Sequence, residues 1–157
     1  MEFNSQEDIE APADFIWGKM TDTAFFERAA LRRGADLTRK DGGSEFTLGA
    51  KWHVGFSFRG KYREFDLEVI EIEPPDMMVV ELTSRNIRSV TRVELVPLSK
   101  TRTRIVTKSD VKAKTLSARL LLQSLRLARG TVERRAKTRS AELVQRLEES
   151  YRQSRAL

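Results

Sequence analysis

Two hydrophobic periods follow one another along the chain, a period of two that dominates its first two thirds and a period of 3.6 in the last. Glu2 to Glu10 sets Phe3, Ser5, Glu7 and Ile9 against Asn4, Gln6, Asp8 and Glu10, which predicts a first strand with Phe3 and Ile9 inward. Pro12 then opens a short helix, Ala13 to Met20, because proline lacks only a donor that a first turn leaves unused. Asp22 or Thr23 caps a second short helix through Phe25, Phe26, Ala29 and Leu31, stopped by Gly34. Strands are predicted at Ala35 to Lys40, Lys51 to Phe58, Tyr62 to Glu73, Met77 to Thr83, Ile87 to Val96 and Thr101 to Val111, with Glu45 to Leu48 a loop or short strand. In the longest of these, Phe65, Leu67 and Val69 share a face before Ile70 and Ile72 take over, which predicts a bulge near Val69-Ile70. Connections after Gly49 are hairpin-length, so the sheet is an antiparallel meander.

Thr115 to Tyr151 reads as one long helix. Ala118, Leu121, Leu125, Ala128, Val132, Ala136, Leu143 and Leu147 form its buried stripe, opposite Arg134, Arg135, Lys137, Arg139, Glu142 and Glu149. Leu116, Leu120 and Leu127 fall off that stripe, so the segment 116–127 is apolar nearly all round and calls for a partner, a ligand or a second layer. Gly130 interrupts the helix at a cost of about 1 kcal/mol, which implies a close backbone approach or a bend there. The order is one strand, two short helices, six strands and one long helix. A sheet with one apolar face can bury it against one such helix only by curving around it, an α+β architecture in a single domain spanning residues 1–157.

Charge complicates that picture. The net charge of +6 conceals a division: Met1 to Ser84 holds 10 basic and 17 acidic residues, whereas Arg85 to Leu157 holds 19 basic and 6 acidic. Cross-strand pairing of acidic early strands with basic late ones accounts for much of this, and Asp8 and Glu10 are candidates to pair with Arg102 or Arg104. Any cations left over would favour an anionic membrane or nucleic acid. The basic residues Arg88, Arg92, Arg102, Arg104 and Lys108 are not interleaved with aromatics, so a stacking platform for nucleic acid is not supported. The absence of cysteine removes disulfides, thiolate catalysis and thiolate-bound metals, and a single histidine leaves no histidine-rich metal site. No cofactor motif is present: DGGSEF and FRGK lack the spacing of a phosphate-binding loop. The acidic N-terminus has no apolar signal segment, and a cytoplasmic location is expected.

The run IEAPADFIWGKMTD at 9–22, GAKW at 49–52, EIEPPDMMVVE at 71–81 and the final helix together resemble the START-like, birch-pollen-allergen-like superfamily known as SRPBCC, in particular its bacterial polyketide cyclase/dehydrase-like branch. The resemblance covers almost the whole chain. It implies a helix-grip fold with a cavity between curved sheet and long helix that holds a lipophilic ligand. It implies no particular reaction, since this fold serves carriers, sensors and cyclases alike.

Alternation gives the inward set: Trp52, Val54, Phe56 and Phe58; Phe65, Leu67 and Val69; Met78, Val80 and Leu82; Thr91, Val93 and Leu95; Ile105, Thr107 and Ser109. Leu121, Leu125 and Ala128 join them from the helix. Aromatic and aliphatic walls with a few hydroxyls suit a small lipophilic molecule, and they equally suit an ordinary core. Glu7 shares the parity of Phe3 and Ile9, and a carboxylate turned inward is a candidate acid, base or hydroxyl anchor. Arg63 shares the parity of Phe65 and offers planar donors to a carboxylate or enolate oxygen. His53 and Tyr62 point outward by the same parity, so no Ser-His-Asp set can form. Three functions stay open: a carrier or sensor of a lipophilic molecule, a cyclase or dehydrase using Glu7 with Thr91, Thr107 or Arg63, and an association module. The last would use 116–127 for a homodimer or for peripheral contact with an anionic membrane.

Overall fold

The computed structural model describes residues 1–156. Its elements run β1 (Glu2–Ile9), α1 (Ala13–Met20), α2 (Thr23–Arg32), β2 (Asp36–Arg39), β3 (Lys51–Phe58), β4 (Lys61–Glu73), β5 (Met77–Thr83), β6 (Ile87–Ser99), β7 (Arg102–Ala113), α3 (Leu116–Leu127) and α4 (Arg129–Arg155). The strands form one curved antiparallel sheet in the order β1-β7-β6-β5-β4-β3-β2. First and last strands are therefore neighbours, with Glu7 opposite Ile105 and Asp8 opposite Arg104.

Local chemistry explains the boundaries. Pro12 is extended at φ −64° and ψ 149° and precedes the first turn of α1. Asp22 caps α2, its carboxylate accepting from the amides of Ala24 at 3.0 Å and Phe25 at 3.3 Å. Gly34, at φ +80°, supplies the left-handed residue that turns the chain out of α2 towards β2. Residues 45–48 form a loop, not a strand, and Phe46 from that loop covers Trp52. Arg59 and Gly60 both have positive φ, the tight hairpin turn that matches strand twist. The register of β4 against β5 shifts between Val69 and Glu71, the bulge expected there.

The interior is filled at two separate places. Ile9, Ala11, Ile16, Leu95 and Leu147 form one cluster, which Phe15, Trp17, Phe25, Leu143, Val144 and Tyr151 extend. Ala50, Trp52, Val54 and Val69 form the second, beneath Phe26, Leu37 and Phe46. A fully buried Leu or Ile contributes roughly 1.5–3 kcal/mol, so Ile9, Ile16 and Leu147, each 0% exposed, carry much of the first cluster. Thr103 is also fully buried, and its hydroxyl donates to the carbonyl of Ala11 at 2.8 Å. The first cluster thus joins α1, β6 and α4, while the second joins α2 to β3 and β4.

The single helix expected over Thr115 to Tyr151 is two. Ala128, at φ −98° and ψ 23°, separates α3 from α4. Gly130 is not the point of interruption, and a Cβ placed there would meet nothing within 4 Å, so no close approach requires glycine. The two halves answer to different anchors. Ala118 is buried and Thr115 caps α3, accepting from the amide of Ala118 at 3.3 Å, whereas Leu147 fixes α4 in the first cluster. The expected stripe is accordingly buried at Ala118 and Leu147, half-buried at Leu121, Leu125, Ala128, Val132 and Leu143, and exposed at Ala136. Among the described residues no helix is long and apolar enough to cross a membrane.

Part of the charge asymmetry is neutralised on the convex face. Asp8 of β1 accepts from Arg104 Nε at 2.8 Å and pairs with Arg102 at 3.4 Å, and Glu10 pairs with Arg102 at 3.2 Å. The Asp8 carboxyl is held below the usual range, first by the hydrogen bond from Arg104. Glu81 and Arg88 pair across β5 and β6 at 2.7 Å. Acidic early strands therefore do lie against basic late ones.

Candidate functional site

Packing identifies the inner face of the sheet. Ile9, Leu95 and Ile105 meet Leu143, Val144 and Leu147 of α4, and Trp52 meets Phe26 of α2 with ring centroids 5.1 Å apart. Residues of the same parity on each strand share that face. His53 and Tyr62 lie on the other side, as expected.

Of the inward set, Trp52, Val54, Phe65, Val69, Met78 and Leu95 are buried by protein. Trp52 is the most constrained: Phe26 and Phe46 pack on it, Arg39 lies 4.5 Å from its ring centroid, and its Nε1 donates to Glu27 at 3.2 Å. In this conformation it is core. Phe56, Phe58, Leu67, Val80, Leu82, Thr91, Val93, Ile105 and Thr107 remain half-buried, as do Leu121 and Leu125 of α3.

Phe56, Leu67 and Ile105 pack against the two clusters, and the remaining half-buried residues form a strip of the inner face between them. Its two sides differ. Towards β3 and β4 it is aromatic, with Phe56 and Phe65 stacked at 5.3 Å and nearly parallel. Towards β6, β7 and β1 it carries hydroxyls: Thr91 and Ser109 share a hydrogen bond of 2.8 Å, and Thr107 lies opposite Ser5. Such a strip can receive an elongated molecule with one flat apolar part and one part that hydrogen-bonds.

Both acid-base candidates reach this region by strand parity. Glu7 is half-buried opposite Ile105. Arg63, opposite Phe56, is half-buried with its guanidinium 5.8 Å from the Phe58 ring. Its Nε is shielded from solvent and has no hydrogen-bond partner among the described residues, leaving a donor available.

α3 lies across one end of the sheet. It starts where β7 ends, close to the β5–β6 turn, where the Thr115 hydroxyl donates to Asn86 Oδ1 at 3.3 Å. At its far end Ser124 accepts from Arg59 Nη1, in the β3–β4 turn, at 2.9 Å. Sequence reasoning did not single out Arg59, because nothing in its spacing places a turn arginine beside a helix 65 residues later. The outer side of α3 leaves Leu116, Leu120 and Leu127 exposed at 72%, 59% and 92%.

No protein-family model matches the chain. No curated protein matches it either. Solved structures do. The chain is similar to norcoclaurine synthase from Thalictrum flavum, at a TM-score of 0.68 and 14% identity over 96% of this chain and 87% of that one. It is similar to a conserved protein from Geobacillus kaustophilus, at 0.70 and 12% over 96% and 97%. It is also similar to a START superfamily protein from Mycobacterium smegmatis, at 0.61 and 17% over 97% of each chain. Likeness at such low identity is likeness of fold, and it agrees with the element order, the sheet topology and the long final helix: this chain has the START-like, birch-pollen-allergen-like helix-grip fold.

Proposed function

We propose that the protein binds a small lipophilic molecule in the groove between the curved sheet and the C-terminal helices, as a carrier or sensor. The observation that carries this reading is the middle of the inner face, where Phe58, Val80, Leu82, Val93 and Thr107 stay half-buried while both ends of the interior are packed. An apolar strip of this kind is costly to leave in water unless something covers it. Norcoclaurine synthase, of the same fold, holds dopamine and hydroxybenzaldehyde in its structure. The hydroxyls of Thr91, Thr107 and Ser109 and the free Nε of Arg63 supply the polar contacts that would orient a ligand. Native mass spectrometry of protein purified without detergent tests this, together with titration of an environment-sensitive naphthalene dye. A co-purified lipophile, or saturable dye binding lost in Val93→Trp, supports the reading. Neither a co-purified molecule nor dye binding would end it.

A second reading rests on Leu116, Leu120 and Leu127, whose exposure on one short helix suits association with an anionic membrane surface or a second copy. Co-sedimentation with anionic vesicles and sedimentation equilibrium separate the two. A monomer that ignores vesicles at low salt removes both.

A further inference from the structure

Outside the groove, α1, α2 and the C-terminal half of α4 enclose an open cleft of about 430 Å³. Lys19, Arg28, Arg32 and Arg146 line it, with Phe25 as its apolar wall and Glu149 as its one carboxylate. A smaller recess of about 60 Å³ adjoins it across Phe25, Arg32 and Arg146 and adds Arg33 and Glu142. Cations outnumber carboxylates in both. Ion pairs in the fold gather on the convex face and the loops, as at Asp8–Arg104 and Glu81–Arg88, with one more along α4 at Arg129–Glu133. Among the described residues Lys19, Arg28, Arg32, Arg33 and Arg146 have no such pair.

We infer that this cleft is a binding site for a small molecule bearing two or more phosphate groups. The consecutive helices α1 and α2 and the distant α4 bring their cations to one concavity, which places positive charge on several of its walls. Its volume falls within the roughly 300–1,000 Å³ of small-molecule sites. Guanidinium groups present forked donors that match phosphate oxygens, and several of them around one cleft favour a polyvalent anion over a single carboxylate. Lys19 Nζ lies 5.8 Å from the ring centroids of both Phe15 and Phe25, which places it beside the apolar wall.

Helix dipoles do not explain the cluster. Lys19 and Arg32 occupy the last turns of α1 and α2, where a cation is favoured anyway. Arg28 and Arg146 are not in a last turn. Crowding of like charge also shows at Arg33, whose guanidinium is held below its usual pKa, first by burial and then by Arg139 and Arg146, with Glu142 opposing.

The site shares no residue with the groove, so each reading can fail without the other. Calorimetric titration of the full chain with tripolyphosphate and with ATP at low salt tests it. Binding should be saturable, and the double variant R32Q/R146Q should weaken it by at least about tenfold. The control R134Q/K137Q, on the solvated side of α4, should leave it unchanged. A thermal melt of each variant confirms that it is folded, and R146K should retain more of the affinity than R146Q. Vesicles of phosphatidylcholine with and without phosphatidylinositol bisphosphate distinguish a lipid headgroup from a free phosphorylated molecule as the source. No saturable binding of any of these probes overturns the inference. Equal losses in the cleft variant and the control also overturn it, because they would reveal general attraction to a basic protein.

Discussion

Arg59 Nη1 donates to the Ser124 hydroxyl at 2.9 Å and so joins the tip of the β3–β4 hairpin to α3 across one end of the sheet. The pair is exposed, and bonds of this kind contribute at most about 1 kcal/mol. Its removal therefore acts on the mobility of α3 more than on global stability. Arg59→Ala is expected to accelerate release of a groove-bound dye with little change in melting temperature. Stopped-flow displacement measures this, and an unchanged off-rate would show that α3 does not control access.

Leu147 is fully buried where α4 meets Ile9, Ile16 and Leu95. Leu147→Ala should cost about 2–5 kcal/mol by urea denaturation, the range for a large side chain removed from a packed site. Phe58→Ala, in the half-buried strip, should instead reduce dye affinity. The reverse pattern would mean that the strip is core and the cluster dispensable.

The cap on α2 gives a cleaner local test. Asp22→Ala removes an acceptor for two amides and should destabilise the protein by about 0.5–2 kcal/mol. Asp22→Ser should recover most of the loss, and equal damage from both substitutions would assign the effect to something other than capping.

His53 sets a pH dependence. Its Nδ1 lies 2.9 Å from Asp66 and its Nε2 3.1 Å from Glu64, so two carboxylates face the two ring N–H groups of the imidazolium. The hydrogen bond to Asp66 first, then that to Glu64, raises its pKa above the ordinary imidazole value. A raised folded-state pKa stabilises the fold below the unfolded pKa, and that contribution is lost as pH rises through the folded value. Nuclear magnetic resonance titration of this sole histidine should show a raised midpoint, falling in Asp66→Asn and again in Asp66→Asn/Glu64→Gln. A midpoint at the ordinary value in the unsubstituted protein would refute the arrangement.

Strand parity made most of the sheet legible. Alternation at Phe65, Leu67 and Val69 followed by Ile70 and Ile72 located the bulge, and Asp22 announced α2, because both are written in neighbouring residues. The break at Ala128 was hidden for the opposite reason. Leu127, Ala128 and Arg129 all favour helix, and the chain turns there because Ala118 and Leu147 anchor its two sides to different parts of the fold. Parity also separated the inner from the outer face without showing which inner residues would be packed. That division depends on where Phe26 and Phe46 land, and only the assembled fold seats them over Trp52. The basic cleft had no signature at all, since Lys19, Arg28 and Arg146 meet only in three dimensions.

Two packed ends with an unpacked middle also bear on how such a chain can change over generations. The clusters around Ile16 and Trp52 hold the sheet and helices in place without help from Val80, Val93 or Thr107. On the proposed function, substitutions along that strip would alter what the groove prefers while leaving most of the folding free energy untouched. A new specificity can thus be tried at little risk to the scaffold, and one architecture can serve many unrelated ligands.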